Sequence, residues 1–187
     1  MKTKAEDRFE WAVEACRARK FRFTVALTEV LRCLSAERLP INWSDLAKRP
    51  AVARLCDPTT VFRIISRLES MGIVRRVGLH SRHTHYVLSA PGDCADYLIC
   101  KACGDIRDLP VDCPLSGVEA GIEAKTGYRT LFHELEVYGI CPECQNPPAA
   151  TGGTKARSSK SAARKRAAAA EPGRCLSCNP IALSEIK

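Results

Sequence analysis

The sequence predicts an α+β fold in two parts: an N-terminal winged helix-turn-helix domain, then a small α/β dimerisation domain stabilised by zinc. Three observations carry this expectation. Apolar residues recur at helical spacing as far as Gly72, and the pattern then changes to short β-rich runs. Charge divides the chain into a basic first half and an acidic middle. Two Cys-x-x-Cys turns, Cys100-Lys-Ala-Cys103 and Cys141-Pro-Glu-Cys144, stand 37 residues apart.

Composition narrows the class. The chain has 187 residues, of which 45% are hydrophobic, so it can bury a core and is not globally disordered. No apolar run approaches the ~20 residues a spanning helix needs. The polar start Met1-Lys2-Thr3-Lys4 has no apolar stretch behind it. A cytoplasmic protein with no membrane partner is therefore expected, and in a reducing compartment eleven cysteines argue for thiolate–metal chemistry over disulfides.

The net charge of +8 is unevenly spread. Residues 1–89 carry 17 Lys/Arg and 9 Asp/Glu, residues 90–144 carry 4 and 10, and residues 145–187 carry 8 and 2. A basic first half suits a polyanion, whose phosphates reward each cation with counterion release. The acidic middle would repel the same partner and is expected to do another job. Domain boundaries follow: 1–89 for DNA binding, 90–146 for zinc and dimerisation, 147–187 for a basic, disordered tail.

The elements of the first half can be taken in order. Residues 6–19 and 22–36 have helical spacing, with Phe9, Trp11 and Cys16 on one stripe and Val25, Leu27, Val30, Leu31 and Leu34 on another. Asn42 or Ser44 caps a short helix through Leu46-Ala47 that ends by Pro50. Asp57 then caps a helix with Pro58 at its first position, Val61, Ile64, Ile65 and Leu68 on its apolar face, and Gly72 as its left-handed stop. The opposite face carries Thr59, Thr60, Phe62, Arg63, Ser66 and Arg67. Hydroxyls reach phosphates or base edges and Arg forks onto guanine, so residues 58–67 are expected in the major groove of double-stranded DNA. Residues 73–77 and 82–88 read as a basic hairpin. Periodicity alone fits a helical core with an ornamental hairpin equally well; the basic charge favours the winged helix.

In the second half each Cys-x-x-Cys turn offers two thiolates, and two turns complete a structural Zn²⁺ shell of Cys100, Cys103, Cys141 and Cys144. Such a site contributes ~10–16 kcal/mol of apparent binding energy in small metal-folded domains. A thioredoxin-like redox pair is disfavoured because the motif is doubled and no strand-to-helix context is expected at either turn. Strands over 96–100, 106–109 and 128–138, with a helix over 114–126, make a sheet small enough to need zinc and self-association, so a homodimer is expected. Cys16, Cys33 and Cys56 read as core fillers. The tail pair Cys175 and Cys178 cannot close a four-ligand site within one chain, and the tail's basic cluster serves either nonspecific phosphate contact or solubility.

These motifs resemble those of the ferric uptake regulator (Fur) superfamily. The run from Asp57 to Val74 is similar to the family's recognition helix, "ATVYR…L…GIV". Tyr97-Leu-Ile-Cys-Lys-Ala-Cys-Gly104 resembles its "HLxCxxCG" turn, and the run from Gly127 to Cys144 resembles its closing strand and second turn. The resemblance spans about residues 15–144. It implies a dimeric, metal-responsive transcription regulator, a repressor acting on a palindromic operator. The Cys₄ zinc would lie in the dimerisation half and a second, sensory metal at the hinge. It also sets Phe62 where the family has a DNA-contacting Tyr, with Arg63 matching the Arg beside it.

For the sensory site the resemblance implies Cys94, Asp96, Asp108 and His133, with Cys94 and Tyr97 where the ferric-type regulators have His and Leu39-Pro40 where another His is usual. A Cys/Asp/His set suits Zn²⁺ better than Fe²⁺, and residues 85–88 also look like the zinc-uptake (Zur) branch. Two alternatives remain: a thiol- or peroxide-responsive regulator of the same fold using Cys94 or Cys113, and a zinc-ribbon thiol oxidoreductase. No phosphate-binding Gly loop and no Ser/His/Asp set is present, and only His133 lies outside the wing, so no enzyme is expected.

Overall fold

The computed structural model describes residues 3–80, 84–91, 96–110, 115, 117–130 and 133–147. Helix α1 (Lys4–Ala18) starts two residues earlier than its apolar stripe implies. The cause is a capping box: the Thr3 side chain accepts from the Glu6 N–H while Glu6 accepts from the Thr3 N–H. Lys20, in the left-handed region at φ 54°, turns the chain. Helix α2 (Val25–Ala36) follows, capped by Thr24. The buried Arg8 of α1 donates to the carbonyls of Ser35 and Glu37, closing the C-terminal end of α2.

Asn42 caps α3 (Trp43–Ala47) as expected. That helix ends before Pro50 as expected, and Pro50 opens a further short helix, α4 (Pro50–Ala53), since a proline at the first helical position lacks only an N–H that would be unpaired anyway. Helix α5 (Pro58–Ser70) begins at Asp57 and is followed by Gly72 at φ 68°. Strands β1 (Val74–Val77) and β2 (His85–Leu88) pair antiparallel, and Ile41 bridges Tyr86 from the far side of β2. Among the described residues these elements bury one core, built on Leu27, Leu31, Leu34, Val61, Ile65 and Leu68, with Cys16 inside it and Cys33 and Cys56 against it.

The second half holds β3 (Tyr97–Cys100), β4 (Ile106–Asp108), α6 (Val118–Thr126), β5 (Glu136–Gly139) and α7 (Pro142–Gln145). The sheet order is β4-β3-β5, with β4 antiparallel and β5 parallel to β3. Two expectations are corrected. The helix expected over 114–126 begins only at Val118, after Gly117 at φ 88°. Among the described residues, the strand expected over 128–138 pairs only from Glu136, opposite the four residues of β3, and Tyr128 stands in solvent. The expected tail, with Cys175 and Cys178, lies outside the described residues, as do Cys94, Cys113 and His83.

The hairpin is buried on both faces. Val74, Tyr86 and Leu88 enter the first core, whereas Val77 and Val87 join Tyr97, Ile99 and Ile106 in a second, with Tyr138 packed against it. Polar contacts reinforce this seam. The Gly78 N–H donates to Glu136 Oε1 at 3.0 Å, the His80 N–H to the Tyr138 hydroxyl at 3.3 Å, and Lys101 Nζ to the His80 carbonyl at 2.7 Å. Tyr138 also donates its hydroxyl to Glu136. Arg75 pairs with Glu134 at 3.4 Å and lies over the Tyr97 ring.

Glu136→Ala therefore removes the acceptor of the Gly78 amide. Hydrogen exchange at Gly78 should accelerate roughly 2- to 12-fold, the worth of one hydrogen bond of about 0.5–1.5 kcal/mol, while amides of α2 keep their protection.

Candidate functional site

The parallel register of β3 and β5 sets Cys100 opposite Gly139, so both Cys-x-x-Cys turns leave the sheet at one end. Their four sulfurs lie within 4.8 Å of one another. Cys103 and Cys141 approach to 3.7 Å, and the Cys141 N–H points at the Cys100 sulfur from 3.3 Å. Burial pushes the Cys100 thiol up, but the N–H groups of Cys141, Cys103 and Ala102 outweigh it and bring it down to about 6. Cys144 is pushed up to about 12 by thiol hydrogen bonds to Cys141 and Cys103. Burial also raises Cys103. Four thiols this close cannot all ionise unaided, and a bound dication reverses that order by deprotonating its ligands. The donor set and the amides aimed at sulfur thus fit a metal held by Cys100, Cys103, Cys141 and Cys144.

One argument from sequence fails here. Strand β5 leads directly into α7, with Pro142 at its first position, so a strand-to-helix context does open at the second turn. The gathering of all four sulfurs is what separates this arrangement from an isolated redox pair.

The other expected metal residues do not join such a group among the described residues. His133 Nδ1 lies 2.7 Å from Glu119 Oε1, their side chains only 11% and 15% exposed. Asp108 pairs with Arg38 at 3.3 Å, and Asp96 is buried. Among the described residues the Cys₄ group is the only one of three or more potential ligands close enough to hold an ion, and Cys94 lies outside those residues. Sequence reading missed Glu119, which stands 14 positions before its partner, too far for any local motif to expose.

On α5 the expected reading face is outward. Val61, Ile65 and Leu68 are fully buried, while Thr59, Phe62, Arg63 and Arg67 are exposed. Several of these side chains are already engaged. The Thr60 hydroxyl donates to Asp57 at 2.7 Å and, with its N–H, holds the Asp57 carboxyl below its usual range. The Arg67 guanidinium sits 4.3 Å from the Phe21 ring centroid. Phe62 meets Trp43 of α3 edge to face. Arg63 has no hydrogen bond or ion pair among the described residues. Sequence reading missed the supporting rings of Phe21 and Trp43, both outside α5.

Comparisons with known proteins agree with this architecture. Residues 56–138 match the pattern of the ferric uptake regulator family. The chain is 31% identical over 136 residues to the ferric uptake regulation protein of Synechococcus elongatus, covering 68% of this chain and 88% of that one. It is 33% identical over 86 residues to the counterpart from Legionella pneumophila, of which it spans 62%. In fold it is similar to the Helicobacter pylori ferric uptake regulator, with a TM-score of 0.59 at 18% identity, covering 78% of this chain and 98% of that one. That protein is described as having three functional metal-binding sites. Among the described residues no helix is long and apolar enough to cross a membrane. On the strength of the Synechococcus relative and the matched pattern, the chain belongs to the ferric uptake regulator family of metal-responsive, DNA-binding transcription regulators.

Proposed function

We propose that this chain is a cytoplasmic repressor that binds a palindromic duplex as a homodimer. Residues 1–89 form the reading half, residues 90–146 form the metal-holding and self-associating half, and residues 147–187 are a basic tail. The observation that carries the reading is α5: Val61, Ile65 and Leu68 of its apolar face are fully buried and its outward face presents Thr59, Thr60, Phe62, Arg63 and Arg67. Arg63 is the leading base contact, because its fork is unengaged among the described residues and the first turns of a groove-seated helix come nearest the bases.

Zn²⁺ is the metal of the Cys₄ site. Four thiolates suit it, and a closed site of this kind supplies folding energy with no open position for chemistry. A second divalent metal, Zn²⁺ in preference to Fe²⁺, belongs near Cys94, Asp96 and His133. The closeness of Glu119 to His133 supports Glu119 as a further ligand, while Asp108 is engaged by Arg38. That metal would bias the two halves toward a geometry that fits both operator halves.

Self-association is supported by the outer face of the second sheet. Leu98 and Val137 stand opposite each other across β3 and β5 and are exposed, as are Val118 and Ile122 on α6. An apolar surface of this sort on a small module is expected to be covered by a second copy.

Arg63→Ala should weaken binding to a palindromic operator by about 1–3 kcal/mol, roughly 5- to 150-fold by fluorescence anisotropy, with metal content unchanged. Unchanged affinity would remove α5 from the interface. Cys141→Ser should reduce tightly held zinc, measured by elemental analysis, from about one ion per chain to none and unfold residues 96–145. Val137→Asp should shift the species seen by light scattering from dimer to monomer while that zinc is retained.

A further inference from the structure

We propose that Trp43 is a positioning residue for sequence readout: its ring holds Phe62 away from α5 as an apolar reader of a thymine methyl group. This rests on α5 being the DNA-facing helix. Phe62 is 44% exposed, between Thr59 and Arg63 on an otherwise polar face, while the opposite face of α5 already fills the core. Phe62 belongs to neither buried core, so its ring is available to a partner.

Trp43 supplies the geometry. It is the first residue of α3, fixed by the Asn42 cap and packed on the first core, and its ring meets Phe62 with centroids 5.4 Å apart and planes inclined at 64°. Edge-to-face contact is a preferred aromatic arrangement, and here it restricts an otherwise mobile surface ring. A side chain fixed before binding loses less entropy on docking than a free one. The ring has no hydroxyl or N–H, so it cannot sort bases by hydrogen bonding. The major-groove feature a phenyl group distinguishes is the C5-methyl of thymine. Trp43 need not touch DNA: it acts through Phe62.

The test uses a duplex selected by the wild-type chain from a randomised pool. Each thymine is replaced in turn by deoxyuridine, which removes the methyl and preserves pairing. The wild type should lose about fourfold in affinity at one position per half-site, the worth of burying one methyl-sized group. Phe62→Ala and Trp43→Leu should abolish that penalty, whereas Trp43→Phe should retain it. Affinity for unrelated duplex should be the same in the wild type and the two Trp43 variants, and thermal melting checks that each variant is folded. Because Trp43 also packs on the core, a second readout leaves it in place. With Trp11→Phe, Trp43 is the one remaining tryptophan, and its emission should shift more on the thymine duplex than on the uracil one. A penalty that survives Trp43→Leu, an emission blind to the methyl, or a wild type indifferent to every replacement overturns the assignment. If no duplex is enriched from the pool, the DNA-reading helix itself fails, which is a different result.

Discussion

β3 and β5 run parallel with Cys100 opposite Gly139, and most of the second half follows from that register. A parallel neighbour requires a crossover of a dozen or more residues, and the segment containing α6 provides it. Pairing continues one step past the strands, where the Lys101 N–H donates to the Gly139 carbonyl, so the two Cys-x-x-Cys turns are held side by side. Two segments distant in sequence thereby bring four thiols together. Backbone N–H groups bring Cys100 down to about 6 while thiol hydrogen bonds push Cys144 up to about 12, and ionising all four would set thiolate against thiolate. A dication relieves the repulsion and pins the register that created it, so metal and sheet stabilise each other.

The same sheet explains why the hairpin does not stand free. Two-residue alternation sends Tyr86 and Leu88 to one core and Val87 to the other, so β2 belongs to both halves. Lys101 lies inside the first Cys-x-x-Cys turn and donates to the carbonyl of His80, beyond β1. Helix α5 runs into β1 through Gly72. A short covalent and hydrogen-bonded path thus connects the Cys₄ cluster to α5. Whatever disorders the cluster loosens the base on which α5 is carried.

The first half was largely legible because its signals are local. Asp57-Pro58 and Gly72 mark the two ends of α5, and its apolar residues recur at one period. The Cys₄ group was legible for another reason: spacing alone names the ligands. What escaped reading depends on the tertiary arrangement. The seam of Gly78, Glu136 and Tyr138 joins residues 58 positions apart. Among the described residues the closing strand pairs only from Glu136, opposite β3, which the alternating run after Gly127 does not encode. Helix α4 escaped because a proline that marks the end of one helix also suits the first position of the next. Glu119 and Trp43 meet partners distant in sequence, His133 and Phe62, and no periodicity marks them.

In the proposed reading, charge decides which part of the molecule faces DNA, and a bound metal would sharpen that choice. Residues 90–144 carry 10 acidic and 4 basic side chains before any thiolate is counted. Four thiolates outweigh one dication, so a filled Cys₄ site is itself anionic and deepens the negative potential of its half. It cannot recruit phosphate, and its contribution to binding has to be structural. Over distances beyond the screening length of about 8 Å at physiological salt, the residual field falls away. At encounter it disfavours approach by the metal-bearing face and leaves the basic half as the productive side. In a dimer the acidic halves repel each other as well, so their association has to come from apolar surface such as Leu98 and Val137. Raising the salt therefore has opposed effects: it weakens contact with phosphate and eases the pairing of the two copies.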